Sequence, residues 1–267
     1  MTYYGVMDTK TRRATIAERL QVEGEAVIVE LATLYGKSEM TIRRDLELLE
    51  SAGLARRSRG GAISVQSRAF EPPILQRAAH MAEDKRRIGA AAAALLSENE
   101  TVVLDVGTTT HEMAKSIKND FAITVITSSL LIATELSTRS MVRTIVTGGV
   151  VRIGEMSLVG PRAQVAFDDL NCDTVYLGVA GVSDTKGLTE YNLDDAYVKQ
   201  TAIKSGRRVV VLADASKIGQ IAFVTVAPVN VIDLLITTAR PEHPVIHRLK
   251  DQGVEILHVE PFNKEQD

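Results

Sequence analysis

Five arginines crowd one short stretch of this chain. Arg43 and Arg44 sit together within "SEMTIRRDLELLESAGLARRSRGGA", residues 38–62, and Arg56, Arg57 and Arg59 follow a glycine. A guanidinium is a planar fork of N–H donors that matches phosphate oxygens and the acceptor edge of guanine better than an ammonium does. In the same stretch Ile42, Leu46 and Leu49 recur at i, i+4 and i+7, which makes one apolar helical stripe. Thr41, Arg43, Arg44 and Glu47 fall off that stripe, so the arginine pair faces outward. Ser38, Thr41, Arg43, Arg44, Arg56, Arg57 and Arg59 are the candidate contacts to a nucleic acid. A solvated basic face on an ordinary amphipathic helix would need no partner, and the surrounding layout argues against it.

A second set of residues suits a polar, anionic small molecule. "DVGTTTHEMAK", residues 105–115, ends a strand in Asp105, turns at Gly107 and opens a helix on Thr108, Thr109 and Thr110. Backbone N–H groups and hydroxyls at a helix start form an anion cradle. No GK[ST] follows, so this is not a nucleotide-binding P-loop. Thr127 and Ser128, Gly148 and Gly149, and "ADASK" with Asp214, Ser216 and Lys217 end further apolar strands. In an open parallel sheet, ligands sit outside the carboxyl ends of the strands. Lys217 would neutralise a phosphate, and Asp105, Glu190 or Asp214 would accept hydrogen bonds from sugar hydroxyls. The competing reading is that the Gly-Thr turn and the Asp214–Lys217 pair merely cap their loops.

Other chemistry is poorly supplied. His243 and His247 are four apart with Pro244 between them and no evident acidic partner, His111 is isolated, and no Cys/His cluster suits zinc. Cys172 is the single cysteine; it reads as a small buried apolar residue and excludes an intrachain disulfide. No metal, cofactor or catalytic residue is expected.

These residues need elements to hold them. The first seventy residues read as helices: one around Ile16 and Leu20 that stops at Gly24, a short one from Val29 to Tyr35 closed by Gly36, and a third from its N-cap Ser38 through Ala52 to Gly53. "LARRSRGGAISV" then alternates about Gly60–Gly61 as a hairpin does. Three helices and a hairpin make a winged helix-turn-helix, with the third helix in the major groove and the hairpin tip on the backbone. Pro72–Pro73 and the charged run after them read as a connector. Beyond it, "TVVLDV", "ITVITS", "RTIVTGG", "TVYLGVAGV", "RRVVVLAD" and "DLLITT" are strand candidates, with helices expected over Lys85–Leu96, His111–Ile117, Leu130–Leu136 and Leu193–Lys204. That alternation is an α/β domain with a mainly parallel sheet covered on both faces. The expected domains are 1–66, winged helix-turn-helix; 67–84, linker; and 85–267, ligand binding and oligomerisation.

Charge follows the same division. Residues 1–68 carry 11 Lys and Arg against 9 Asp and Glu, whereas the whole 267-residue chain has a net charge of −3. A cationic head on an acidic body implies a localised anion-binding surface. No apolar run reaches membrane-spanning length and the N-terminus lacks a signal-peptide core, so a reducing cytoplasm is the expected setting, at the nucleoid when DNA is held.

Together the motifs resemble the DeoR-type bacterial transcriptional repressors over nearly the whole chain. "SEMTIRRDLELLESAGLARRSRGGA" is similar to that family's S-x-x-T-I-R-R-D-L…L…G…R…GGA, and "DVGTTT", "TGG", "GLT" (Gly187–Thr189) and "DASK" resemble its sensor signatures in order. The resemblance implies a ribose-phosphate-isomerase-like sensor domain without catalysis, a phosphorylated sugar or related metabolite as effector, and a homo-oligomer (dimer or tetramer) released from operator DNA by that effector. It also brings Gly181 into the candidate site. Thr127–Ser128–Ser129 stands where the family commonly has T-N-S, Gly181–Val182–Ser183 where it has G-[IV]-D, and Thr237–Thr238 where it has T-D. The alternative is a sugar-phosphate isomerase or deaminase with an accessory DNA-binding domain. Such an enzyme needs a general base beside the substrate carbon; of the acidic loop after "YLGVAGVSD" only Asp184 remains.

Overall fold

A computed structural model describes residues 8–52, 54–64 and 68–261. It divides into two compact units, 1–72 and 73–267.

In the first unit, α1 (Thr9–Glu23) is capped by Asp8 and stopped by Gly24. Strand β1 (Glu25–Val27), α2 (Ile28–Tyr35) and α3 (Glu39–Ser51) follow, then the hairpin strands β2 (Ala55–Ser58) and β3 (Gly61–Ser64). Ser38 N-caps α3 as expected; Gly53, expected to end it, lies outside the described residues. The apolar stripe Ile42, Leu46 and Leu49 is buried against Ile16, Leu20, Ile28 and Leu31. β3 is the middle strand of an antiparallel sheet ordered β1-β3-β2. That requires a glycine at 61, because a Cβ there would meet the Ala26 carbonyl oxygen at 2.1 Å. A buried ion pair, Arg12 Nε to Asp45 Oδ2 at 2.7 Å, ties α1 to α3.

The second unit begins with α4 (Ile74–Ala79) and α5 (Ala82–Ala93). The connector expected over 67–84 therefore holds a short helix and the first turn of another. Pro73 ends the extended segment and serves as the N-cap of α4, so the proline pair delays the helix by one residue and does not exclude it. The chain continues through β4 (Thr101–Leu104), α6 (Thr108–Ser116), β5 (Ile123–Thr127), α7 (Leu130–Leu136), β6 (Val142–Val146), the hairpin β7 (Val150–Arg152) and β8 (Ser157–Val159), and α8 (Pro161–Val165). It ends with β9 (Cys172–Gly178), β10 (Gly181–Ser183), β11 (Gly187–Glu190), α9 (Leu193–Ser205), β12 (Gly206–Ala213), β13 (Val224–Ala227), β14 (Leu234–Thr237), α10 (Pro244–Asp251) and β15 (Glu255–His258).

Seven of these strands form one sheet ordered β15-β14-β12-β9-β4-β5-β6, with every adjacent pair parallel. Alternate residues serve opposite faces. Val209 and Val211 pack with Ala202 of α9 and Ile246 of α10, while Val210 and Leu212 pack with Ile88 of α5 and Met113 of α6. Both faces are thus covered, which is why the strands read as unbroken apolar runs. "TVYLGVAGV" proves to be two strands. It breaks after Gly178, and β10 leaves the main sheet for an antiparallel one ordered β10-β11-β13. α6 starts at Thr108 rather than His111 because the three threonines are its first turn. Cys172 is buried, and burial pushes its thiol above the ordinary range.

Candidate functional site

The arginine-bearing surface comes from α3 and the β2–β3 wing. The Ser38 hydroxyl accepts the Thr41 N–H at 3.2 Å and bonds its hydroxyl at 2.9 Å, so both side chains fix the start of α3. Arg43 is exposed and approaches Glu39 at 3.5 Å, one turn back. Arg44, Arg56 and Arg59 are exposed and make no ion pair among the described residues. Arg57 differs. Its Nε meets Glu50 at 2.7 Å, its Nη1 meets Glu47 at 2.9 Å, and its backbone N–H donates to Glu50 at 2.9 Å. Those bonds clasp the wing to α3, and the backbone N–H first, then the guanidinium, hold the Glu50 carboxyl below its ordinary range.

The second set lies along one edge of the large sheet. Because neighbouring strands are parallel, Asp105, Thr127, Gly148, Gly178, Asp214 and Thr237 all stand at carboxyl ends of successive strands or just past them. Gly107 is the residue before α6, and the Thr110 hydroxyl donates to its carbonyl at 3.0 Å. The Thr108 and Thr109 hydroxyls make no hydrogen bond among the described residues. Thr127 is buried and its hydroxyl accepts the Ser129 N–H at 3.0 Å, with Ser128 buried beside it. Gly148 and Gly149 are exposed at the turn into β7. Gly181 sits apart from the strand ends, opening β10 against the backbone of Gln220.

Asp105 and Glu190 come together, but on a residue the sequence reading missed. Lys199 of α9 is 1% exposed. Its ammonium bonds Asp105 Oδ2, donates to the Gly178 carbonyl at 2.9 Å and lies 3.4 Å from Glu190 Oε2. Asp105 Oδ2 also accepts the Gly178 N–H at 3.1 Å. Burial disfavours the ammonium, but Asp105 and then Glu190 more than offset it, and Lys199 is held protonated well above the ordinary lysine range. Asp105 and Glu190 are thereby committed to a buried charge cluster at the sheet edge.

Asp214 is fully buried just past β12. Its Oδ1 accepts the Ser216 N–H at 3.0 Å and bonds its hydroxyl, whereas its Oδ2 has no hydrogen-bond partner among the described residues. Lys217 ends the short 3-10 turn that follows, 5.9 Å from the centroid of the Tyr191 ring. An open concavity of about 510 Å³ lined by Asp184, Lys186, Asn230 and Gln252 lies elsewhere, and no strand-end residue lines it. Asp184 there is taken up by Arg248. Among the described residues no group of His, Cys, Asp and Glu is arranged to hold a metal ion.

A winged helix-turn-helix carrying outward arginines, joined to an open parallel sheet with polar strand ends, defines a DNA-binding regulator with a sensor domain. Residues 12–68 match the DeoR-like helix-turn-helix domain and residues 80–239 the DeoR C terminal sensor domain. The chain belongs to the DeoR family of transcriptional regulators. It is 34% identical to the HTH-type transcriptional regulator GlpR of Haloferax volcanii over 92% of this chain and 96% of that one. It is 32% identical to the HTH-type transcriptional repressor GlcR of Bacillus subtilis, over 94% and 96%. Identity to the glycerol-3-phosphate regulon repressor of Escherichia coli (strain K12) is 28%, over 94% and 99%. Ribose 5-phosphate isomerase A of Methanocaldococcus jannaschii superposes with a TM-score of 0.39 at 15% identity, covering 51% of this chain and 54% of that one. No helix of the described residues is long and apolar enough to cross a membrane.

Proposed function

We propose that this protein represses a carbohydrate-catabolic operon and leaves its operator when a phosphorylated sugar or related anionic metabolite occupies the strand ends of the sensor domain. The names of the repressors it is similar to favour that reading. The observation that carries it is the combination at the sheet edge: a helix start with two unengaged threonine hydroxyls, a buried carboxylate oxygen of Asp214 without a partner, and Lys217 nearby. Such a set offers N–H donors and positive charge to a phosphate and an acceptor to a hydroxyl. Arg43, Arg44, Arg56 and Arg59 contact the DNA, with Ser38 and Thr41 at the start of the reading helix.

The protein is not an enzyme. Asp105 and Glu190 are both engaged by Lys199, so neither is a free base poised beside a substrate carbon. It acts in the cytoplasm, at the nucleoid, as a homo-oligomer. The exposed apolar side chains of Ile145, Val146, Val150 and Ile153 on the edge strand β6 and its hairpin support self-association. The test is a thermal-shift screen over phosphorylated sugars, followed by operator release and a turnover assay with each hit. Stabilisation with operator release and no product is expected; product formation, or a hit without release, would overturn the reading.

A further inference from the structure

The DNA-reading unit and the sensor meet in sequence at Pro72–Pro73, and α4 is the first element beyond that boundary. α4 has six residues, none of them buried, and Leu75 is 81% exposed. So short a helix is marginal by itself, and no fully buried side chain anchors it. Polar ties hold it instead. The ammonium of Lys85, 2% exposed, donates to the carbonyl of Arg77 and, at 2.7 Å, to that of His80, at the C-terminal end of α4. A cation there satisfies carbonyls that the helix leaves open. The Arg77 guanidinium pairs with Glu155 in the turn of the β7–β8 hairpin.

Both ties lead back to the strand ends. Asp84, beside Lys85, accepts the Thr238 hydroxyl at 3.2 Å, and the same hydroxyl accepts the Ala215 N–H at 3.2 Å, which roots the start of α5 just past β12 and β14. Lys85 feels the charges of Asp214 and Lys217 at that edge. The hairpin leaves β6 at Gly148–Gly149, pairs back through Ser157 to Ser129, and is tied by Arg152 to Asp195 of α9 at 2.6 Å. An anion arriving at the strand ends would compete with the carbonyls of α4 for Lys85.

We propose that α4 is the element through which ligand occupancy reaches the DNA-reading unit, latched by Lys85 and by the Arg77–Glu155 pair. The ligand half of this inference rests on the pocket reading above; the latch itself does not. The test uses the full chain and an operator duplex selected with the wild-type protein, with glucose 6-phosphate as the probe. Without ligand, Glu155→Gln and Lys85→Met should each speed amide exchange over residues 74–80 by about tenfold. Each should weaken operator binding by at least about fivefold, and Arg77→Glu combined with Glu155→Arg should restore both. Faster exchange with undiminished operator affinity, or unchanged exchange, overturns the latch. In wild type, glucose 6-phosphate that raises the thermal midpoint should also speed exchange over 74–80, and stabilisation without that change overturns the coupling. If glucose 6-phosphate and the wider sugar-phosphate panel fail to bind, the pocket reading falls, and the ligand-free variants still decide the latch.

Discussion

Lys199 has two buried carboxylates to satisfy. Replacing it with Met would leave the Asp105 carboxylate buried without the ammonium it bonds and take one partner from Glu190. Breaking such a pair from one side typically costs about 3–5 kcal/mol. Lys199→Met should therefore lower the denaturation midpoint of the sensor domain steeply, and Asp105→Asn less so, since Glu190 would remain for the ammonium; chemical denaturation measures both. Lys85 makes a prediction about pH. Burial holds it down at about 8, against the pull of Asp214 and with help from Lys217 and Arg77, while Glu112 opposes the shift. Between about 8 and the roughly 10.4 of an exposed lysine, the unfolded chain keeps a proton that the folded chain has released. Stability should thus rise with pH through that window, by up to about 3 kcal/mol relative to Lys85→Met. A constant difference between wild type and Lys85→Met from pH 7 to 10.5 would refute it. At the wing, Arg57→Met should weaken operator binding while leaving the salt slope unchanged, because its guanidinium is spent on Glu47 and Glu50. Arg56→Met and Arg59→Met should each reduce the slope by about one counterion. The outward arginines were legible in the sequence because a helix period fixes which side each residue faces. Lys199 was not, since its partner Asp105 is 94 residues away and nothing local marks the pairing.

Elements marked by a helical period, a glycine turn or an unbroken apolar run were legible, and those without such a mark were not. α3, α7 and the apolar strands β4, β5, β12 and β14 fall close to their expected spans because each repeats its pattern over several residues. β7, β8, β11 and β13 have three or four residues apiece and, unlike β4 and β14, no run of three apolar residues to mark them. α4 was hidden by its prolines. The packing of α5 on α6 is likewise invisible from periodicity. A Cβ on Gly89 would come within 2.5 Å of the Met113 nitrogen and 2.6 Å of the Glu112 carbonyl carbon, both backbone atoms that cannot swing aside. Gly89→Ala should force the helices apart and cost about 1–3 kcal/mol, the range for overpacking. For a domain of this size, that is a drop of about 2–4 °C in the sensor transition per kcal/mol. An unchanged midpoint would mean that α5 slides without loss.

At the scale of the whole chain, each unit has its own apolar core, and charge is divided between them in the same way as function. Ile16, Leu20, Ile42 and Leu46 close the first core, and the sheet with its two helical layers closes the second. A ligand that binds only the folded form of one unit stabilises that unit alone, by about 2.7 kcal/mol at a concentration of 100 times its dissociation constant. Calorimetry of the full chain without DNA should therefore show two transitions. A bound sugar phosphate should raise only the one retained by a 73–267 fragment. A DNA duplex should raise only the one retained by 1–72, and that shift should shrink steeply with salt because phosphate contacts release counterions. Thr108→Glu puts negative charge at the start of α6, where like charges repel by about 4 kcal/mol at 4 Å and an effective dielectric of about 20. It should abolish the first shift and leave the second intact. A sugar phosphate that moved both transitions equally, or that still stabilised Thr108→Glu, would show that the ligand is not held at the start of α6.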